Sequence, residues 1–392
     1  MELMVEQKYQ QTELGALPED WSVKSIAEVS TPVRGGSPRP AGDPKYFNGD
    51  YIPWLTVASL TNIPTSQMHV IETETSLTKD GSMFSRTLEV GTLIISNSGA
   101  TLGVAKLLKI KCCANDGIAA LLDIDTKVEP LFIAHYINSQ TKRLREVIAT
   151  GNGQPNLNTD LIGRIKIPLP PTREEQTAIA TALSGADALI AGMEKLIEKK
   201  RLIKQGAMQE LLRPKMGWVL KKLGECLTYE QPTNYLVKDT EYNDNNQIPV
   251  LTAGKTFILG YTDEEFGIFR STPVIIFDDF TTTTKYVDFP FKVKSSAMKF
   301  LKPKHDLIDL RFIYESMNQI VYALGGDHKR RWIGEYQYID IHVPPYEVQT
   351  KIAKAIGDMD AEIHALERKL AKQKEIKQGM MQVLLTGNVR LL

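Results

Sequence analysis

The segment KQGMMQVLL, at Lys377–Leu385, has a near copy, KQGAMQELL, at Lys204–Leu212. Aligned backward from these segments, the chain repeats itself at a constant offset of 173 residues as far as Gln176 and Gln349. About half of the aligned positions are identical. A spaced repeat of this length indicates that the architecture of the chain is itself repeated.

Apolar residues recur in steps of four and three in both copies, which is the heptad pattern of a helix with one apolar seam. The seam positions are Ile179, Leu183, Ala186, Ile190, Met193 and Ile197 in the first copy, and Ile352, Ile356, Met359, Ile363, Leu366 and Leu370 in the second. Each copy stays free of proline for about 40 residues, which predicts a helix about 60 Å long at 1.5 Å per residue. Proline pairs precede both helices, in IKIPLPP (Ile165–Pro171) and IDIHVPP (Ile339–Pro345). Arg213–Pro214 ends the first helix, and Gly387 offers a C-cap for the second.

Two matched seams most simply pack on each other, and the long intervening segment allows the two helices to run antiparallel. The alternative is that each seam is the core side of an ordinary globular domain, where helices average about three turns. The predicted lengths favour the paired helices.

The segments that precede the helices also echo each other. YIPWLT (Tyr51–Thr56) corresponds to QIPVLT (Gln247–Thr252), and GTLIIS (Gly91–Ser96) to TPVIIF (Thr272–Phe277). Short helical patterns follow these β-rich runs, so the fold class is α+β, with two mixed domains of about 130–150 residues. The predicted order is domain, long helix, domain, long helix, as a pseudo-two-fold internal repeat. The boundaries are 1–168, 169–213, 214–343 and 344–392.

The two domains differ in their polar loops, which carry glycine beside side chains that can reach phosphates and base edges. The loops are VRGGSPRP (33–40), SNSGATLG (96–103) and GNGQPNLN (151–158) in the first domain, and FDDFTTTTKY (277–286) and GGDHKRRW (325–332) in the second. The predicted DNA contacts are Arg34, Arg39, Asn97, Gln154, Asn156, Lys285, Lys329, Arg330 and Arg331. The alternative for each loop alone is a solvated turn in which glycine and asparagine supply positive φ.

Composition further limits which partners and which compartment the sequence predicts. Of 392 residues, 47 are Lys or Arg and 47 are Asp or Glu, so any surface for DNA must come from local clustering of basic side chains. Three cysteines cannot form a disulfide framework, which indicates a reducing compartment. The N-terminal residues lack the apolar run of a signal peptide, and no stretch reaches the length of a membrane span. We therefore expect a cytoplasmic protein that does not contact membranes.

The helix starts (PPTREEQT and PPYEVQT), the KQG-x-MQ-x-LL helix ends and the W-x(2)-K-x-[IL]-x-E domain starts resemble the specificity subunit of type I restriction–modification enzymes. The resemblance covers essentially the whole chain. It implies two target recognition domains that each read half of a split sequence in double-stranded DNA, separated by two antiparallel helices that form a coiled-coil spacer. It also implies that the spacer binds two modification subunits, which carry S-adenosylmethionine and methylate adenine, and through them restriction (motor-nuclease) subunits. No cofactor is expected in this chain. The second helix start is one residue shorter than the first, so the symmetry at that junction is not exact.

Enzymatic motifs are incomplete in this sequence. AGKT (Ala253–Thr256) lacks the first glycine of a P-loop, because Pro249 stands there. VPPY (Val343–Tyr346) has valine in place of the asparagine or aspartate with which methyltransferases that act on amino groups accept a hydrogen bond from the target amine. Asp278–Asp279 with Lys285 suggests a nuclease metal site only weakly, since acidic residues at a strand end are more often turn residues or ion-pair partners. No His and Cys spacing suits zinc, and no metal is expected.

We therefore predict a non-catalytic DNA reader and scaffold. The alternative is a standalone DNA-modifying or DNA-cleaving enzyme with an unrecognised site. A purely structural coiled-coil adaptor explains the helices but leaves the two loop-rich domains without a role.

Overall fold

The computed structural model describes residues 8–99, 101–148, 156–252, 256–321 and 331–391. The chain divides into two compact units, one of Met1–Ile197 with Leu366–Leu392 and one of Glu198–Ala365. Each unit therefore combines one of the predicted domains with a part of each long helix. The predicted boundaries follow the sequence repeat, whereas the compact units follow the contacts that the two long helices make.

The first unit contains thirteen described strands, seven described α-helices and one π-helical turn, together with the C-terminal part of the last long helix. The seventh of these helices continues into the second unit. The strands are β1 (Tyr9–Thr12), β2 (Gly15–Pro18), β3 (Ser22–Ser25), β4 (Thr31–Arg34), β5 (Phe47–Leu55), β6 (His69–Val70), β7 (Thr75–Leu77), β8 (Arg86–Leu88), β9 (Leu93–Ser96), β10 (Ala105–Leu108), β11 (Cys112–Ala114), β12 (Ile118–Leu122) and β13 (Lys166–Leu169). The helices are α1 (Ile26–Val29), α2 (Val57–Asn62), α3 (Lys79–Ser82), α4 (Pro130–Ser139), α5 (Thr141–Arg143), a π-helix (Leu144–Ile148), α6 (Thr159–Arg164) and α7 (Arg173–Leu211).

The second unit has fewer described elements. Its strands are β14 (Val219–Lys222), β15 (Leu227–Glu230), β16 (Ile248–Leu251), β17 (Ile258–Thr262), β18 (Val274–Asp278), β19 (Thr284–Val287), β20 (Lys292–Val293), β21 (Met298–Pro303) and β22 (Asp340–Val343). Its helices are α8 (Leu223–Cys226), a 3-10 turn (Pro232–Tyr235), α9 (Leu310–Met317), α10 (Arg331–Gly334), a second 3-10 turn (Tyr336–Tyr338) and α11 (Tyr346–Leu384).

The sheets of the two units follow related plans. The first unit has a five-stranded sheet in the order β4-β12-β9-β10-β6 and a four-stranded sheet in the order β7-β5-β11-β8. The second unit has a four-stranded sheet, β15-β21-β18-β19, and a three-stranded sheet, β17-β16-β20. One parallel pair recurs, β5 with β11 in the first unit and β16 with β20 in the second. The α+β prediction and the internal repeat are confirmed.

A two-stranded antiparallel sheet joins the start of each domain to the strand before its long helix. β3 pairs with β13 in the first unit, and β14 pairs with β22 in the second. A buried glutamine then fastens each helix start. The Nε2 of Gln176 donates to the Pro170 carbonyl at 3.1 Å, and the Nε2 of Gln349 donates to the Pro344 carbonyl at 2.9 Å. The repeated proline–glutamine spacing therefore sets how each long helix leaves its domain.

Both long helices span 39 residues, as the repeat predicts. The predicted seam residues of α7 are buried except Ala186, which is half-buried: Ile179, Leu183, Ile190, Met193 and Ile197. In α11 the seam residues Ile352, Ile356 and Ile363 are buried, whereas Met359, Leu366 and Leu370 are half-buried. The buried face of α7 also includes an aspartate, Asp187, that an apolar seam does not predict.

The helix segments within each unit run antiparallel. In the first unit, Asp187 binds Lys377 and the later Glu194 binds the earlier Lys374. In the second unit, the Nζ of Lys200 lies 2.7 Å from Glu362, and the later Lys204 binds the earlier Asp360. In both units the partner number on α11 falls as the number on α7 rises. The predicted antiparallel pair is therefore present in each unit.

The repeated KQG segments close the hydrophobic cores. Met208 and Leu211, in the first copy, pack against the core that contains Ile352 in the second unit. Leu384 and Leu385, in the second copy, belong to the core of the first unit together with α4 and the start of α7. Each copy therefore completes the unit in which the other long helix begins.

The last turn of α11 is fixed by two further contacts in the first unit. Gly387 has a φ of +70°, as expected for a C-cap, and a side chain there would approach the ring of Pro18 to 2.5 Å. Arg390 donates to both carboxylate oxygens of Asp20 and to the buried Glu175. The C-terminal residues thereby tie the start of the first domain to the start of α7.

Candidate nucleic-acid interface

Three loops of the first unit, each predicted to contact DNA, meet at the turn between β11 and β12. The amide of Gly35, in the first loop, donates to the Ile118 carbonyl at 2.9 Å. The amide of Asn97, in the second loop, donates to the Gly117 carbonyl at 2.9 Å. The third loop joins them, since the Leu157 amide donates to the Asn97 carbonyl at 2.8 Å. Residues far apart in the sequence thus form one surface.

Glycine allows the first loop to approach this turn. A Cβ atom at Gly35 would lie 2.2 Å from the Asn115 carbonyl oxygen and 2.5 Å from that of Ala114. Both are backbone atoms that cannot rotate away. The second residue of the GG pair in VRGGSPRP follows the same path, with the amide of Gly36 donating to the Ala114 carbonyl at 2.9 Å. Gly35 therefore allows the two backbones to approach each other closely.

The predicted arginines of this loop both face the carboxylate of Asp116. One guanidinium nitrogen of Arg34 and one of Arg39 each lie 3.9 Å from the same carboxylate oxygen. The Nε of Arg34 also donates to the Asp116 carbonyl at 2.6 Å. The two arginine side chains are 54% and 74% exposed. The structure therefore brings together two of the predicted DNA contacts on an open surface.

The predicted asparagines divide into a buried and an exposed residue. Asn97 is 1% exposed, and its Nδ2 donates to the Asp116 carbonyl at 3.3 Å. Because its amide faces the interior of the loop cluster, Asn97 positions the turn, and the prediction of a direct DNA contact is corrected. Asn156 is exposed beside the third loop's contact, whereas Gln154 lies outside the described residues.

Two residues of this surface were missed in the sequence. Asp116 lies at its centre, and Arg86 donates from its Nε to the Arg34 carbonyl at 3.0 Å. Arg86 begins a strand whose place beside the first loop depends on long-range pairing, so no local pattern indicates it. The Asn-Asp-Gly sequence at 115–117 is a turn signal, and that signal could have drawn attention to Asp116.

The two predicted loops of the second unit also meet. Asp279 accepts a hydrogen bond from the amide of Trp332 at 3.0 Å, which joins 277–286 to the start of α10. Its other carboxylate oxygen lies 2.9 Å from the Nζ of Lys299, and both side chains are 4% exposed. Trp332 packs edge-on against Phe277, with ring centroids 5.4 Å apart. A buried ion pair therefore anchors this part of the second unit.

The acidic pair that suggested a nuclease metal site has structural partners. Asp278 accepts hydrogen bonds from the amides of Phe280 and Thr281 at 2.8 and 2.7 Å, which forms an Asx turn. Asp279 is held by Lys299, as described above. Among the described residues, no group of three His, Cys, Asp or Glu side chains is arranged to hold a metal ion.

The predicted basic contacts of the second unit fall in three settings. Lys285, on β19, is exposed, and its Nζ lies 5.7 Å from the centroid of the Phe257 ring. Arg331 is only 6% exposed at the start of α10, so its side chain belongs to the interior, and the prediction of an exposed DNA contact there is corrected. Lys329 and Arg330 lie outside the described residues. Lys285 is therefore the predicted contact that the structure places on this surface.

None of the described helices has the length and apolar composition needed to cross a membrane.

Comparison with known families identifies the repeat. The family model described as the type I restriction modification DNA specificity domain matches the chain twice, over residues 18–200 and 215–378. The two matches together cover most of the sequence, and each comprises one domain with the greater part of the long helix that follows it.

Relatives and solved structures agree with this match. The chain is 26% identical to the type I restriction enzyme MjaIX specificity subunit of Methanocaldococcus jannaschii, over 98% of this chain and 97% of the relative. It is 54% identical to the EcoR124I/EcoR124II specificity subunit of Escherichia coli, but over only 31% of each chain.

The fold is shared with the solved specificity (S) subunit of M. genitalium, with a TM-score of 0.64 at 16% identity and 98% coverage of both chains. A chain from a structural study of the assembly and conformational transition of a type I restriction–modification system aligns with a TM-score of 0.57 at 15% identity, covering 95% of this chain and 99% of that one. On the strength of the doubled match and the repeated architecture, this chain belongs to the family of type I restriction–modification DNA specificity proteins.

Proposed function

We propose that this chain is the non-catalytic specificity subunit of a type I restriction–modification complex. Each unit reads one half of a bipartite sequence in double-stranded DNA. The helices α7 and α11 set the gap between the two halves and bind two modification subunits. Restriction subunits join the complex through those modification subunits.

This proposal rests on one observation: the two units share a repeated framework but carry different loops. The same lysine–aspartate pair closes both units, Lys204 with Asp360 and Lys377 with Asp187. The described loops on that frame make different contacts, since Asp116 centres one surface and the Asp279–Trp332 contact organises the other. A conserved frame with dissimilar reading surfaces suits a protein that recognises two different half-sites.

The chemistry of methyl transfer is assigned to the partner. S-adenosylmethionine binds the modification subunit in this proposal, and this chain holds no cofactor of its own. In the described residues, the acidic side chains at the end of β18 are engaged by backbone amides and by a lysine. The chain contributes sequence recognition and a platform for assembly.

The proposal is tested with the purified chain and its modification subunit, separately and together. The mixture should methylate adenine within one split sequence when S-adenosylmethionine is added, and the chain alone should bind that duplex without methylating or cutting it in the presence of magnesium. A mixture that contains an active-site variant of the modification subunit serves as the control. Methylation or cleavage of the duplex by this chain alone would establish the alternative, a standalone enzyme.

Exposed leucines on α7 provide a separate test of docking. Leu189 and Leu196, seven residues apart on one side of α7, are 49% and 41% exposed beside the buried seam. Leu196→Arg should reduce assembly with the modification subunits at least tenfold in size-exclusion or light-scattering titrations, because a charge would be buried at the contact. Leu307→Arg changes an equally apolar residue, 70% exposed in the second domain, and should leave assembly unchanged. Equal assembly by both variants would remove this face of α7 as the docking surface.

A further inference from the structure

We propose that Asp116 is the positioning residue for DNA recognition in the first unit, where it orients Arg34, attracts Arg39 by its charge and limits binding to unrelated DNA. This inference rests on the proposed function, which it makes specific to one carboxylate. An acidic side chain at the centre of a surface for a polyanion needs a physical reason.

Contacts from two loops hold Asp116 in place. One carboxylate oxygen accepts a hydrogen bond from the Ser37 hydroxyl at 2.7 Å. The main-chain carbonyl accepts from the Nε of Arg34 at 2.6 Å and from the Nδ2 of the buried Asn97 at 3.3 Å. The carboxylate is thus fixed on a rigid turn and still 42% exposed.

The second carboxylate oxygen faces both arginines. The guanidinium groups of Arg34 and Arg39 each approach it to 3.9 Å, and both remain largely exposed. Arg86 brings a further guanidinium group to this loop through its hydrogen bond to the Arg34 carbonyl. Two positive charges beside one negative charge leave the surface attractive to DNA.

Two consequences follow from this arrangement. An arginine that is held in one orientation presents its two donors as a fork, which is the geometry that reads the O6 and N7 atoms of guanine. A fixed carboxylate also repels phosphates, so it weakens the sequence-independent part of binding that arises from charge. Asp116 should therefore raise discrimination between sequences while lowering affinity for unrelated DNA.

The test uses Asp116→Asn, which keeps the size of the side chain and removes its charge. The chain, assembled with its modification subunit, is incubated with a randomised duplex library, and the bound duplexes are sequenced. Discrimination should fall roughly tenfold at one or more positions of one half-site, the loss of one oriented arginine contact. The other half-site, read by the second unit, serves as an internal control and should keep its preferences.

A second measurement uses a fixed duplex that lacks the enriched sequence. Asp116→Asn should bind this duplex several-fold more tightly than the unaltered protein, and the dependence of log affinity on log salt should steepen by up to about 0.9, the value for one additional phosphate contact. Ser37→Ala keeps the charge but removes the anchor of the carboxylate. It should relax the same half-site while leaving the salt dependence unchanged.

Asp340→Asn is the matched control for charge. Asp340 is 48% exposed and lies 3.3 Å from Lys222, but it belongs to the strand pair at the base of the second unit. It should alter neither half-site. Weaker binding of Asp116→Asn to all duplexes would show a merely structural role, and unchanged selectivity with unchanged salt dependence would show no role; either result overturns the proposal. If the unaltered assembly enriches no split sequence, the proposed function itself fails instead.

Discussion

Among single residues, both copies of the repeat have the same lysine–aspartate pair between the long helices, but they differ in the charged side chains that pack near it. His135 on α4 and Glu315 on α9 each stand six residues after the N-cap of their helix, at Glu129 and Asp309. His135 is buried with its Nδ1 4.0 Å from Asp187, whereas Glu315 binds Arg311 at 2.7 Å. The same place in the fold therefore holds a neutral ring in one unit and an ion pair in the other.

His135 should remain neutral in the folded protein well below pH 6.5. Burial, together with the charge of Lys377, lowers the pKa of its imidazole from 6.5 to about 3. The unfolded chain takes up a proton here below pH 6.5 and the folded chain does not, so this group's contribution to stability is complete above pH 6.5. It is lost at about 1.4 kcal/mol per pH unit as the pH falls toward 3.

The imidazole resonances provide the measurement. The proton signal of His135, assigned by its absence in His135→Gln, should not shift between pH 8 and pH 5. The same residue in the urea-unfolded chain is the reference and should titrate near 6.5. Titration of the folded protein's His135 signal in this range would contradict the burial that the structure shows.

Substitution by alanine should have opposite effects on stability at Gly387, the C-cap of α11, and at Gly379, within the helix. Gly387→Ala should destabilise the first unit by at least about 1–2 kcal/mol, the cost of a left-handed residue with a side chain. Contact with Pro18 adds to that cost. Gly379→Ala lies in the helix with nothing within 4 Å, and should stabilise by about 0.5–1 kcal/mol. Thermal unfolding of both variants measures the difference, and destabilisation of similar size at both positions would contradict it.

At the scale of elements, a buried ion pair fixes where α7 meets α11 in the first unit. Asp187 is 3% exposed and its carboxylate lies 2.6 Å from the Nζ of Lys377. Burial raises the pKa of Asp187, and the ammonium group of Lys377 opposes that rise. A charge in such a site depends on its partner, because water cannot replace it.

Lys377→Met should therefore destabilise the helix pair of the first unit by about 3–5 kcal/mol, since the variant leaves Asp187 buried and unpaired. Hydrogen exchange of the amides in 176–193 measures this locally. Lys374→Met is the control, because its partner Glu194 is 36% exposed and an exposed pair contributes at most about 1 kcal/mol. The double variant Asp187→Leu with Lys377→Met should recover most of the lost protection. Equal effects of the two single variants would show that burial does not set the strength of the pair.

The elements differ in how far the sequence predicts them. The long helices, of 39 residues each, are predictable because apolar residues repeat every three or four positions through 179–197 and 352–370 and because proline marks the helix starts. Asp187 escapes prediction, because an aspartate interrupts an apolar pattern and its partner is 190 residues away. The loop surface of the first unit is not predictable either, because its residues are also far apart in the sequence. Arg34, Arg86 and Asp116 meet only through strand pairing, which no local pattern specifies.

At the scale of the whole molecule, the repeat explains why one amphipathic segment occurs twice. Each KQG segment completes the core of the unit in which the other long helix begins. Neither long helix lies entirely within one unit. In α7, 173–197 belongs to the first unit and 198–211 to the second, and α11 is divided in the same way after Ala365. Both helices must therefore form before either unit is complete, which couples the folding of two reading domains that carry different loops.

This division of the helices allows the proposed spacer to be lengthened without disturbing either unit. Four residues with high helix propensity, inserted after Ile197 in α7 and again after Ala365 in α11, fall where the two units divide. The insertions leave Glu194 with Lys374 in the first unit and Lys200 with Glu362 in the second. Each insertion adds about 6 Å of helix and close to one full turn.

If the helices set the gap, the paired insertion should lengthen it by about two base pairs, at about 3.4 Å each. The bases of both half-sites should stay the same, because the loops that read them are unchanged. Mapping of methyladenine across the genome of a host that carries this chain and its modification subunit measures both quantities. Four residues inserted after Asp244, in a loop of the second unit, form the control and should preserve the gap. A preserved gap with the paired insertion, or new bases at either half-site, would show that the separation of the half-sites is set elsewhere in the complex.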